Sequence, residues 1–391
     1  MRLRPRLLAL APLLGLVAFA DEPTTPPPPE GLKPIGGRWF VREASGGEPA
    51  TYFYRDGDRY VDLFSYHALD SNEDGVPNLS IRHDDTLLRV DSQGYPNHPT
   101  AVFPNSGNPN RIRVQDFHFA FPLTPVKADA ITRVPMGPIG MAINGVVFFN
   151  PFEAGGMNAV EGYSEVWLDS CCGHPQQTGV YHYHKYPSCV KTPFSDDGEG
   201  HSPILGFAFD GFPLHGPYEG KGTLARDLRE DRALDVCNGH SDPARGYHYH
   251  VTPGRFPYVI GGYAGVPEPS NSPLLRRGRV GAIENNAEGP NRRWRGVEGL
   301  TPGQAGRGDT IVLRITLDPA SAPSGTPSWV QVGPFEATKV SREENVVTGE
   351  ISVTRDASLG VWLDLHLEFD SEDGNGRVVV LKKNDAFRVV E

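Results

Sequence analysis

The chain has 391 residues and a formal net charge of −11. Its 45 glycines and 37 prolines disfavour a helical bundle or a coiled coil, because both residue types break long helices. The negative charge disfavours a nucleic-acid partner, since phosphate neutralisation needs a positive protein surface. The composition therefore predicts an acidic, loop-rich, mainly β protein.

The N-terminus has the pattern of an export signal. A positive segment, residues 1–6, precedes an apolar run over residues 7–19, and cleavage is predicted after Ala20. The apolar run is too short to span a membrane, and no later run is long enough. We expect a secreted or periplasmic protein with no transmembrane segment after signal removal. A Pro-rich linker over residues 21–35 follows.

Short alternating runs then predict strands over residues 36–133. The clearest of these runs are residues 52–55, 59–64 and 114–121. Between them, a short acidic segment resembles the start of a calcium loop and contains Asp70, Asn72 and Asp74. The twelfth position of that loop is Ile81 rather than glutamate, so a polar turn is preferred and a weak calcium site is the alternative.

The C-terminal part shows a linker followed by a second domain. Residues 268–304 are rich in Gly, Pro and Arg and are interpreted as a linker with solvated arginines at 276–279 and 292–295. Residues 305–391 alternate apolar and polar positions, which predicts a small β-sandwich with a hairpin turn at 371–376. Its one histidine, His366, has no companion ligand. We therefore expect this domain to contact a cell-envelope or extracellular partner.

The middle of the chain is duplicated. Residues 140–187 and 206–253 are identical at 17 of 48 positions without a gap. This match predicts two copies of one unit, repeat one over 134–199 and repeat two over 200–267. Two copies favour a single domain with pseudo-two-fold symmetry rather than an open solenoid.

Each repeat carries a His-x-His pair eight residues after another histidine. Side chains at i and i+2 of a strand share a face, so each pair can chelate an ion while the adjacent tyrosines face away. A turn that returns the preceding histidine would complete a set of three nitrogens, which suits zinc, copper and iron. The predicted metal ligands are His174, His182, His184, His240, His248 and His250. Asp169 and Asp235 are expected to orient these rings or to serve as extra ligands.

Alternatives to this interpretation stay open from the residues alone. The motif strands can be structural, with imidazoles bonded to backbone carbonyls, and the metal can occupy two sites or one shared site. His201 and His215 occur in one repeat only and are ranked as peripheral. Glu153 and Glu219 could serve a carbohydrate-acting enzyme, although capping a turn is the preferred role.

The four cysteines allow several pairings. One option joins Cys172 to Cys189 and Cys171 to Cys237; another joins Cys171 to Cys189 and leaves Cys172 and Cys237 to pair. Disulfides are preferred over thiolate metal ligands because export leads to an oxidising compartment.

These motifs resemble the YHYH-domain family, named for the tetrapeptide found here at 181–184 and 247–250. Supporting segments at 94–98, 103–109 and 256–261 extend the resemblance over about residues 80–265. The resemblance implies an exported bacterial protein and carries no settled activity. Relatives often have a cysteine where Gly262 stands, and its absence here favours a partner for Cys237 in the first repeat.

The sequence thus predicts a mainly β protein: a duplicated pseudo-two-fold YHYH domain over 36–267 and a small C-terminal sandwich. The leading functional hypothesis is an exported protein that binds copper or zinc, or less favourably iron, through its paired histidine motifs. A non-catalytic extracellular or envelope binding module is the competing hypothesis. Enzyme activity is not favoured; if present, it would be that of a metal-dependent hydrolase or oxidoreductase.

Overall fold

A computed structural model describes residues 26–153, 156–161, 165–275, 296–355, 357, 362–370 and 378–390. The predicted signal peptide, its cleavage site, both arginine clusters and the 371–376 turn lie outside these residues. No helix within the described ranges is both long and apolar enough to cross a membrane. The helices described there are three short 3-10 turns: Ala225–Asp227, Glu230–Arg232 and Pro269–Asn271.

Short strands precede the duplicated region, as their alternating side chains predict. They are β1 (Lys33–Gly36), β2 (Trp39–Arg42), β3 (Thr51–Asp56), β4 (Arg59–Asp62), β5 (Leu79–His83), β6 (Leu87–Ser92), β7 (Phe117–Pro122) and β8 (Lys127–Thr132). The first four form one antiparallel sheet, and β5–β7 form another. Strand β1 begins inside the predicted linker, because residues 33–36 pair with β2. Trp39 of β2 packs against Phe207, which joins this region to the central core.

The two repeats build one eight-stranded sheet. Its strands lie in the order β11-β12-β10-β9-β13-β14-β18-β17. The repeats contain β9 (Pro138–Ala142), β10 (Val147–Phe149), β11 (Gly173–Pro175), β12 (Tyr181–Tyr183), β13 (Ile204–Ala208), β14 (Pro213–His215), β15 (Tyr218–Gly220), β16 (Thr223–Leu224), β17 (Gly239–Asp242) and β18 (Gly246–His250). Strand β19 (Tyr263–Gly265) returns to pair with β8.

The sheet has the predicted pseudo-two-fold symmetry. Strands β9 and β13 pair antiparallel at its centre, where Met141 faces Phe207, its counterpart in the other repeat. Three more strands follow in equivalent order on either side of this pair, so the two motif strands β12 and β18 lie five strand intervals apart. At ~4.8 Å per interval, they are separated by roughly 24 Å.

The C-terminal residues form two packed sheets, in agreement with the predicted sandwich. Its strands are β20 (Val297–Thr301), β21 (Gln304–Gly306), β22 (Thr310–Leu317), β23 (Trp329–Val332), β24 (Phe335–Glu336), β25 (Thr338–Glu343), β26 (Val346–Ser352), β27 (Trp362–Asp370) and β28 (Val378–Val390). The sheet orders are β20-β22-β26-β25 and β21-β28-β27-β23-β24. Strand β20 lies inside the predicted 268–304 linker, so the sandwich begins earlier than the sequence indicated.

The sandwich packs against repeat one through buried charges. Lys185 Nζ lies 2.7 Å from Asp364 of β27, and Lys382 Nζ of β28 lies 2.8 Å from Glu165. Between these pairs the His366 ring lies 5.6 Å from the Trp167 ring. One face of the sandwich therefore supports the repeat that carries the first Tyr-His-Tyr-His motif.

Candidate metal centres

Three predicted histidines of repeat one meet at one point, here called the first cluster. Strand β11 pairs antiparallel with β12, which places His174 directly opposite His182. His184 follows two residues after His182 and shares its face. The Nε2 atom of His182 lies 3.0 Å from Nε2 of His174 and 3.0 Å from Nε2 of His184. The turn thus returns the upstream histidine as predicted.

Backbone carbonyls fix which nitrogen carries the proton in two of the three rings of this cluster. His182 Nδ1 lies 3.0 Å from the Val180 oxygen, and His184 Nδ1 lies 2.9 Å from the Asn150 oxygen. A carbonyl only accepts, so both Nδ1 atoms donate and both Nε2 atoms carry lone pairs. Burial lowers the pKa of His184 to about 4, which keeps the ring neutral. Two lone pairs 3.0 Å apart cannot hydrogen-bond to each other, and a cation between them would resolve their repulsion.

Repeat two forms a larger group, here called the second cluster. His240 on β17 faces His248 on β18, with their Nε2 atoms 3.2 Å apart. His201 Nε2 lies 3.2 Å from His248 Nε2 on another side. Glu219 Oε1 lies 3.0 Å from Nε2 of His250 and 3.0 Å from Nε2 of His240.

In three rings of the second cluster, Nδ1 is directed to the backbone and Nε2 faces the centre of the cluster. The Nδ1 atoms of His240, His248 and His250 lie 2.6–2.9 Å from backbone carbonyl oxygens. Although burial alone would raise the pKa of Glu219, hydrogen bonds from the surrounding imidazoles hold that pKa well below its usual range. The carboxylate is therefore ionised, and a ring that donates to it from Nε2 while its Nδ1 donates to the backbone carries both protons.

His201 and Glu219 correct the ranking made from the sequence. A β-bridge pairs His201 with Glu219, so neither is peripheral, and Glu219 contacts histidines instead of capping a turn. The His215 ring is buried 4.7 Å from the His201 ring. Long-range pairing brings these residues together, which the spacing of one repeat does not reveal. The one sequence feature that pointed to Glu219 was the glutamate at the equivalent position of both repeats, 153 and 219.

Asp169 and Asp235 have different partners from those expected. Each carboxylate accepts a hydrogen bond from the first tyrosine of a motif, Tyr181 at 2.7 Å and Tyr247 at 2.8 Å. The second oxygen of each accepts backbone N–H groups of the following turn. The acids therefore hold the tyrosine face of the motif strands, because the histidines project to the opposite face.

One disulfide joins Cys171 to Cys189. This bond agrees with the second pairing considered above, but Cys172 and Cys237 are free and buried, and Cys237 has no disulfide partner in repeat one. Burial raises the pKa of both free thiols to about 12, so they stay protonated. His98 lies near the disulfide sulfurs, but these are bonded to each other and unavailable as thiolate ligands.

The acidic segment that resembles a calcium loop, residues 70–75, forms a turn held by its own hydrogen bonds. Asp70 accepts the backbone N–H groups of Asp74 and Gly75, at 3.2 and 2.8 Å. Asp74 in turn accepts hydrogen bonds from the Asn72 and Gln93 amides.

The family model described as YHYH protein matches residues 118–227. The chain contains a YHYH domain. No curated protein and no solved structure matches the chain. The match covers the first cluster and Glu219, whereas His240, His248 and His250 of the YHYH duplication lie beyond it.

Proposed function

We propose that this chain is an exported transition-metal-binding protein whose YHYH duplication holds one ion in each of two separate clusters. The observation that carries the proposal is the convergence of imidazole Nε2 atoms, which lie 3.0–3.2 Å apart within each cluster. Two nitrogens bound 2.0–2.1 Å from a tetrahedral ion are about 3.3–3.4 Å apart. The imidazoles therefore need to move by only a few tenths of an ångström to accept an ion.

The donor set favours copper or zinc, with iron next. Imidazole nitrogen suits these ions, whereas magnesium and calcium prefer oxygen donors. Neutral rings bind such ions without first releasing a proton. The low pKa of His184, about 4, and of His250, about 3, follows from burial and supports binding at neutral pH.

Export is the cellular context that we propose for this site. The residue 1–20 pattern supports it, and the Cys171–Cys189 bond fits an oxidising compartment. The β20-β22-β26-β25 sheet of the sandwich is the part we assign to an envelope or extracellular partner. The opposite sheet is already packed on repeat one.

Metal content of the untagged full-length protein tests the proposal. Elemental analysis of protein purified from the periplasm should give two equivalents of metal per chain. His182→Ala plus His184→Ala should leave one equivalent, and His248→Ala plus His250→Ala should leave the other. His118→Ala is the matched control, because His118 is exposed and bonded to Asp91 outside both clusters.

The same measurements can contradict the proposal. A wild-type protein that is metal-free and resists reconstitution would favour the structural interpretation of the motifs, and with it the binding module. Unchanged metal content in both double variants, with circular dichroism showing an intact fold, would place the metal elsewhere.

A further inference from the structure

The two clusters differ in how their ligand positions are closed. In the second, Glu219 Oε1 lies 3.0 Å from His250 Nε2, and Arg232 holds the other carboxylate oxygen at 2.9 Å. In the first, the equivalent acid Glu153 lies 3.9 Å from His184 Nε2 and is about a third exposed. The Glu153 carboxylate is therefore farther from its histidine than the Glu219 carboxylate is.

The two histidines that occur only in repeat two add a second difference between the clusters. His201 and His215 occupy the positions that Pro135 and Phe149 hold in repeat one. Phe149 stacks on His182 with ring centres 3.7 Å apart, so it forms a wall and offers no donor atom. The first cluster consequently has three nitrogen donors, one fewer than a tetrahedral ion requires.

A cleft leads to the open side of the first cluster. All three of its histidines line a cavity of about 570 Å³. Two other lining residues carry buried N–H groups with no hydrogen-bond partner among the described residues, Trp167 at Nε1 and Asn150 at Nδ2. Both side chains are 1% exposed. Buried donors of this kind are costly unless an acceptor reaches them.

A cavity of about 350 Å³ also reaches His201 and Glu219 of the second cluster, but repeat two lacks both of these donors. Ala233 and Gly216 stand where Trp167 and Asn150 do. A Cβ atom at Gly216 would lie 2.3 Å from Asp196 Oδ2, so the second cluster has no room for an amide there. The orphaned donors and the open ligand position thus occur together, in repeat one alone.

We propose that the metal in the first cluster takes a small oxygen-donor anion from solvent as its remaining ligand, with Trp167 and Asn150 donating hydrogen bonds to it. The second cluster is closed by protein ligands and holds its ion without such an exchange. This inference rests on the proposed function. An anion suits the site because three neutral imidazoles leave a divalent ion's charge uncompensated in a buried setting.

Co²⁺ bound to variants that keep only one cluster tests each cluster separately. The visible absorption of bound Co²⁺ reports its coordination and can be followed while acetate, and separately inorganic phosphate, is added to the full chain. The spectrum of the His248→Ala plus His250→Ala variant should respond to acetate. The spectrum of the His182→Ala plus His184→Ala variant should not.

Trp167→Phe tests the donor directly, because it keeps an aromatic ring and removes the N–H. It should weaken acetate binding about tenfold and leave the Co²⁺ affinity unchanged, since a hydrogen bond to a charged group is of that strength. Trp39→Phe is the control, because Trp39 also has an unpartnered buried Nε1 and packs against Phe207. Asn150→Asp, which replaces the amide donor by an acceptor, should also weaken acetate binding.

The outcomes distinguish the two proposals. Failure of Co²⁺ to bind either cluster would overturn the metal-binding function itself. Bound Co²⁺ that ignores both anions, or that responds equally in the second cluster, would overturn this inference and leave metal binding intact. Equal acetate affinity in the Trp167→Phe and Trp39→Phe proteins would overturn the role of the Trp167 N–H.

Discussion

The Cys171–Cys189 disulfide closes the segment that carries all three histidines of the first cluster. We predict that Cys171→Ser plus Cys189→Ser loosens this cluster and leaves the second one unchanged. A cross-link stabilises a fold by restricting the unfolded chain. For residues 18 apart, the chain-entropy relation gives about 3 kcal/mol at 25 °C.

Hydrogen exchange measured by mass spectrometry, with EDTA present, provides the assay. About 3 kcal/mol corresponds to roughly 10²-fold faster exchange for amides of residues 172–188 that exchange when this segment opens. Residues 238–254 are the internal control, because they form the equivalent hairpin and Cys237 is free. Unchanged exchange at 172–188, or equal acceleration at 238–254, would refute a local stabilising role for the disulfide.

Three further perturbations follow from the packing. His215→Phe should preserve the fold and the metal of the second cluster, measured by melting temperature and metal content. Repeat one has Phe149 at that position, and the potential ligands His201, Glu219, His248 and His250 remain. Burial raises the pKa of Glu368 from 4.5 to about 7, so the contribution of this carboxyl group to stability falls as the pH rises from 4.5 to 7. Glu368→Gln should therefore stabilise the protein by about 2 kcal/mol at pH 8 and have no such effect below pH 4.5. Thermal melts at the two pH values test this. Gly262→Cys combined with Ile131→Ala should form a disulfide with Cys237 and lower the number of free thiols from two to one. A Cβ atom at residue 262 would lie 3.3 Å from the Cys237 sulfur, and Ile131→Ala removes the side-chain atom that would lie 2.6 Å from that Cβ.

Local periodicity and the internal repeat were sufficient to predict the central architecture. The i, i+2 spacing of His182 and His184 requires a shared strand face, and the structure places both Nε2 atoms together. Equal spacing in both copies predicts equivalent hairpins, and β11–β12 and β17–β18 are such hairpins. These features depend on short stretches of chain, whose geometry follows from backbone stereochemistry.

Contacts between segments far apart in the chain could not be predicted from local periodicity or from the repeat. His201 reaches His248 across 47 residues through a bridge to Glu219, and neither spacing nor alternation encodes that contact. Strand β20 was not predicted because Val297–Thr301 has a glycine at its centre and forms a strand by pairing with β22, which lies further along the chain. The Asp169 carboxylate was assigned to the wrong ring because tyrosine and histidine alternate on the same strand.

The pairing of Met141 with Phe207 has an evolutionary consequence. A single ancestral repeat would expose the edge of its β9 strand, and two identical copies could cover that edge only by joining about a molecular dyad. In such a homodimer every substitution appears in both halves. In one polypeptide the two halves vary independently, and here one half has a covalent cross-link while the other has additional imidazoles.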